Sequence, residues 1–117
     1  MSKALTDLLA KVELGQFVPR FDGPEHFVWP GMEDGNAMKR HHLRYAYHGS
    51  LDAAKALHEV VLSGWDIQIT TYEDDSFEAS VAYPLRVKTY DGISSHMSRA
   101  WLIAILKALI AKDQTND

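Results

Sequence analysis

The densest gathering of reactive side chains is Lys39-Arg40-His41-His42-Leu43-Arg44, with His48 a few residues beyond it. Histidine is a common metal ligand, so a metal is the first chemistry to weigh. A zinc site needs its ligands to converge within about 2.0–2.2 Å of one ion. On an extended segment His41 and His42 point to opposite faces, and His42 and His48 lie about 20 Å apart. The expectation is therefore no metal site. The same run could contact phosphate, with Lys39, Arg40 and Arg44 as donors and Tyr45 and Tyr47 as stacking platforms for bases. Glu25, Glu33, Asp34 and Asp52 lie nearby in sequence and blunt its field. Nucleic acid is the alternative partner, not the preferred one.

Two further groups hold the residue types of a nucleophilic site: Asp91, Ser94, Ser95 and His96, and the pair His48 and Ser50. Neither carries the Gly-x-Ser-x-Gly elbow that exposes a hydrolase serine, and neighbours in sequence rarely take triad geometry. Helix capping accounts for Ser50 and for Ser95 or Ser98. Glu73-Asp74-Asp75 opens like a calcium loop but lacks the glycine and the closing glutamate, so it reads as a solvated turn. His58, beside Glu59 in the middle of a helical stretch, reads as exposed. There is no glycine-rich phosphate loop, dinucleotide fingerprint or internal repeat. No catalytic residue and no cofactor are expected.

The elements that would hold these groups belong to a modest domain. The chain has 117 residues, 46% hydrophobic and 24% charged, with a net charge of -4. That length suits a single domain over residues 1–117, and the acidic balance argues against broad nucleic-acid binding. Without cysteine there are no disulfides, thiolate zinc sites or cysteine nucleophiles. The opening Met-Ser-Lys-Ala-Leu-Thr-Asp-Leu-Leu does not read as a secretory signal. The most apolar run, Ala100 to Ala111, contains Lys107 and falls short of the roughly 20 residues a bilayer needs. A cytoplasmic protein of a bacterial host cell is the expected setting, with no membrane partner.

Ser2 to Leu14 spaces Leu5, Leu8, Leu9 and Val12 on one helical face, and Gly15 is placed to end it. Residues 16–42 lose that period and hold Pro19, Pro24 and Pro30 among Phe17, Phe21, Phe27 and Trp29. They read as an ordered, loop-rich segment, with a short strand at Phe27–Trp29. The alternation of Leu43, Tyr45 and Tyr47 predicts a strand through His48. Ser50 then caps a helix from Leu51 to Leu62 that buries Leu51, Ala54, Leu57, Val60 and Val61, with Gly64 beyond its end.

Trp65 to Tyr72 and Phe77 to Tyr83 alternate as two strands of a hairpin, and Leu85 to Tyr90 extends the sheet at its edge after Pro84. After Asp91-Gly92 a final helix reaches about Lys112, and residues 113–117 read as a frayed tail. The fold class is α+β: about three or four antiparallel strands layered with three helices, sandwich-like. Residues 1–44 are the helix and loop-rich part, 45–112 the core.

The final helix is apolar nearly all round. Lys107 marks its most polar direction, yet Ile103 and Ile110 flank that direction closely. Ala100, Ala104 and Ala108 form a row that would admit another backbone at close range. One reading encloses this helix in its own domain. The other makes Ile103, Ile110 and Lys107 a contact between copies, so that the partner is a second copy in a dimer or another protein.

Tyr47, Ser50-Leu51-Asp52-Ala53-Ala54, Gly64-Trp65 and Ser98 leading into Ala100 to Ala111 occur in an order that resembles the phage ABA sandwich domain family. The resemblance spans about Tyr45 to Ala111, with Arg99 where the family often has proline. It implies a layered α-β-α fold and a phage or prophage accessory protein, with phage or host proteins as partners. No catalytic residues come with it. The function expected is a non-enzymatic protein-interaction module.

Overall fold

The computed structural model describes residues 3–16, 45–84 and 88–115. The order is α1 (Lys3–Glu13), α2 (Leu51–Val61), β1 (Asp66–Thr71), β2 (Phe77–Ala82), β3 (Tyr90–Ser94) and α3 (Met97–Thr115). The strands form one open antiparallel sheet in the order β1-β2-β3. The α+β class expected from the sequence is what the chain adopts, with three helices and three strands among the described residues. The expected strand at Phe27–Trp29 lies outside them.

The sheet presents one apolar face. Ile67, Ile69 and Thr71 stand opposite Val81, Ala79 and Phe77, and the last three in turn meet Tyr90, Gly92 and Ser94. Side chains alternate across a strand, so all of these share the side covered by α3. That helix packs on β2 and β3, and α1 and α2 pack on α3. Its residues 100–106 are all buried, as are Ala108 and Leu109. A helix lined by apolar groups on every side is one that neighbours enclose on every side.

Gly92 explains how closely α3 sits. A Cβ placed there would lie 2.2 Å from the Ala100 carbonyl oxygen and 2.7 Å from the Ala104 nitrogen. The alanine row therefore does admit another backbone, and that backbone is β3. Asp91 and Gly92 lie within β3, and only a residue without a side chain fits the seam at position 92. Residues 88 and 89 precede β3 without strand structure, and 85–87 lie outside the described residues.

Three local expectations are met. Gly15 closes α1 at φ 71, with the Gln16 amide donating to the Lys11 carbonyl and the Gly15 amide to that of Val12. The Ser50 hydroxyl accepts the Ala53 amide at 3.1 Å and caps α2. The β1–β2 hairpin turns through Asp75 at φ 65, and the Asp74 carboxylate accepts both the amide and the hydroxyl of Ser76.

Others are corrected. Residues 45–47 are a helical turn, not the end of a strand. Ala46 and Tyr47 are both buried, unlike neighbours on a strand with one solvated face, and Gly49 at φ 112 closes the turn. Leu51 and Val60 are exposed at 41% and 50%, so α2 buries a narrower stripe of Ala53, Ala54, Leu57, His58 and Val61. Neither Ser95 nor Ser98 caps the last helix. It begins at Met97, and Ser98 lies buried within its first turn.

Candidate functional site

Among the described residues, a candidate site lies where α2, the start of β1 and α3 meet, and its centre is His58. The expectation that this histidine is exposed is wrong: 5% of it is accessible. Its Nδ1 accepts the Trp101 indole N–H at 3.1 Å, and Nε2 lies 3.0 Å from the Trp65 carbonyl oxygen. Both contacts are satisfied at once by the neutral ring carrying its proton on Nε2. One imidazole thus joins the three elements. The Trp101 ring also meets the His58 ring edge-on, with centroids 5.6 Å apart.

Above this joint an open cleft of about 250 Å³ is lined by Lys55, His58, Glu59, Ser63, Gly64, Trp65, Ile67 and Trp101. Trp65 belongs also to an aromatic cluster at the same end of the sheet. Its ring lies 5.6 Å from Tyr83, edge-on, and 6.2 Å from Tyr90, with Lys88 over Tyr90 at 5.5 Å. Lys55 and Glu59 stand exposed on the cleft's rim. The cleft is open to solvent, and its floor holds no free acid or base: both His58 nitrogens and the Trp101 N–H are already bonded to the protein.

Backbone directions add a second property. The Tyr72 amide donates to the Ser76 carbonyl, so even-numbered residues of β1 turn their amides and carbonyls toward β2. Those of Ile67, Ile69 and Thr71 point the other way, to the outer edge. Trp65 shares that direction, which is why its carbonyl reaches His58. The cleft therefore lies between α2 and the start of a sheet edge that pairs with no strand among the described residues.

At the far end of β1 the Tyr72 hydroxyl donates to the Glu78 carboxylate at 2.5 Å. That bond, with the nearby negative charges of Glu78 and Asp91, holds the phenol above its ordinary pKa. The hydroxyl and amide of Ser76 hold the Asp74 carboxyl below its own.

Of the residues singled out in the sequence, Lys39, Arg40, His41, His42 and Arg44 lie outside the described residues. Tyr45 is 53% exposed, but Tyr47 is 6% exposed and cannot serve as a platform for bases. The Arg99 guanidinium covers its ring at 4.2 Å and donates to its carbonyl at 3.1 Å. His48 is exposed with its ring edge-on to Tyr47. Among the described residues no three His, Asp or Glu side chains come together as a metal site.

The contact between copies expected through Ile103 falls inside the domain: Ile103 is 3% exposed and abuts Gly92. Ile110 is half-buried against the core. Lys107 pairs with Glu13 of α1 at 3.8 Å, which explains the single polar direction of that helix. No helix among the described residues is long and apolar enough to cross a membrane.

No family model, no curated protein and no solved structure matches this chain. The cleft has to be read on its own chemistry. Its key residue, His58, is obscured in the sequence because the polar Glu59 follows it and Lys55 lies one helical turn before it. The available signal was spacing: His58 lies one position beyond Leu57 and four beyond Ala54, on the same side of α2 that turns inward.

Proposed function

We propose that this chain is a non-enzymatic protein-interaction domain whose contact point is the cleft between α2 and β1. The observation that carries the reading is the pairing of His58. A histidine able to exchange protons with a substrate needs a nitrogen free to reach it. Here both nitrogens are engaged by Trp65 and Trp101. What remains is an indole-walled depression with one lysine and one glutamate at its rim. Such a surface suits an apolar anchor side chain of a partner, because buried aromatic pockets dominate the energetics of protein contacts. A phage or prophage origin, implied by the resemblance to the ABA sandwich family, belongs to the same proposal.

The test is a displayed library of random dodecapeptides selected on the wild-type domain. Selected peptides are expected to share an apolar residue. They should lose at least about tenfold in affinity on Ser63→Trp, which fills the cleft from an exposed position while leaving the circular dichroism spectrum intact. Selections that yield no binder, or binders indifferent to Ser63→Trp, would sink this reading.

A further inference from the structure

We infer that the outer edge of β1 and the cleft beside α2 together receive an extended, basic segment of a partner protein, which adds to the sheet as a fourth strand. The inference rests on the reading of the cleft as an interaction site and names the conformation and charge of what enters it.

Three observations support it. The first is the direction of the backbone. The outward amides and carbonyls of Ile67, Ile69 and Thr71 form a row of hydrogen-bonding groups spaced for an added strand. His58 occupies the outward carbonyl of Trp65, so the row begins immediately after the joint that fixes α2.

The second is the place of the cleft. Side chains directly opposite each other on paired strands lie on the same face of the sheet. The partner residue opposite Ile67 would therefore point to the side on which Ile67 lines the cleft, between β1 and α2. Ile67 and Ile69 are only half-buried, whereas Ala79 and Val81 on the middle strand are completely covered. An added strand with apolar side chains on that face would finish covering them.

The third is charge. Glu59 and Asp66 are exposed at the start of the edge, and Glu73, Asp74 and Asp75 are exposed in the turn at its far end. Against them the rim carries Lys55. A segment with lysine or arginine on its solvent side and at its ends is attracted along its length, and an acidic one is repelled. The middle of β1, Ile67-Gln68-Ile69-Thr70, has no charge of its own and no proline to block pairing.

The probe is the synthetic peptide Lys-Val-Lys-Leu-Lys-Val-Lys, titrated into the isotopically labelled domain. Binding is expected to shift the amide resonances of Ile67, Ile69 and Thr71 and to slow their hydrogen exchange. N-methylation of one alternate set of peptide amides should weaken binding at least about tenfold, and methylation of the other set should leave it unchanged. Replacing every lysine by glutamate should abolish binding at low salt.

If both methylated peptides bind like the parent while Ser63→Trp still removes binding, the cleft reading stands and strand addition is overturned. If the β1 amides are already protected in a concentration-dependent dimer, the occupant is a second copy and the inference of a separate basic partner fails. Absence of any binding by the lysine peptide overturns it as well.

Discussion

β1 and β3 are the two outer strands of one sheet, yet the helices treat them oppositely. At β3 the backbone itself touches α3, through Gly92 and the carbonyl of Ala100. At β1 a cleft of about 250 Å³ separates the strand from α2. The register shows how this arises. Gly92, Ala79 and Ile69 stand in one row across the sheet, so the side chains beneath the helical layer grow from hydrogen to methyl to butyl. A helix resting on that wedge comes down on the β3 side and stands off on the β1 side. That gradient accounts for the closed seam; the cleft lies beside Ile67, whose own row runs through Val81 to Tyr90 and does not narrow toward β3.

That comparison can be broken most forcefully at the seam. Ile103→Glu should unfold the domain, because a charge would be buried where no partner waits for it. A loss of at least about 4 kcal/mol is expected, a large share of the roughly 5–15 kcal/mol that holds a small domain together. Denaturant titration measures it. A folded variant of reduced oligomeric order would instead restore Ile103 as a contact between copies.

Gly92→Ala comes next, at about 1–3 kcal/mol, since the new methyl meets backbone and not a movable side chain. A variant as stable as the parent would show that α3 can lift off β3 without penalty, and the wedge argument would be lost.

At the boundary between the two regions, Trp101→Phe removes the donor to His58 and leaves a buried nitrogen unsatisfied. The cost should be about 1–3 kcal/mol, with a larger cleft. Equal stability by thermal unfolding would mean that the indole hydrogen bond does not join α2 to α3.

The open side should yield the smallest effects. Gln68→Lys, on the exposed face of β1, is expected to stay within about 0.5 kcal/mol of the parent. A marked loss would show that the edge is already occupied.

The hairpin at the end of that edge predicts a pH effect. Asp74 has a folded pKa below the ordinary 3.8, so its contribution is present above 3.8 and is lost as pH falls through the folded value. The stability gap between parent and Asp74→Asn should therefore narrow in acid below 3.8. A gap that stays constant down to pH 2 would mean the carboxylate charge is not what Ser76 recognises.

The closed region was the more legible of the two. The leucine spacing of α1, the hairpin alternation and the alanine row of α3 are periodic signals, and each marks a surface that must be buried; the Ser50 cap is legible as a local hydrogen-bonding signal. The enclosure of α3 was one of two readings open in the sequence. Its choice depended on which backbone the alanines admit, and that backbone is contributed by Gly92, which carries no periodic signal. The open region was poorly legible for a different reason. A cleft has no period; it is defined by what three elements fail to fill. His58 looked solvated because Glu59 and Lys55 beside it are solvated, and nothing local shows that Trp65 and Trp101 converge on its ring. The misread segment at residues 45–47 shows the same limit: Tyr-Ala-Tyr alternates in size, and size alternation fits a strand as well as a short helical turn.

The enclosure of α3 has a consequence in time as well as in space. This helix follows every other described element in the chain, and α1, α2, β2 and β3 all rest on it. During synthesis those elements leave the ribosome before the surface that organises them has been made. Until roughly its last turn emerges, the preceding hairpin has one apolar face in water, where strand edges invite association. The nascent domain should therefore acquire protease resistance in a single late step, once α3 is released, and not gradually as the chain lengthens.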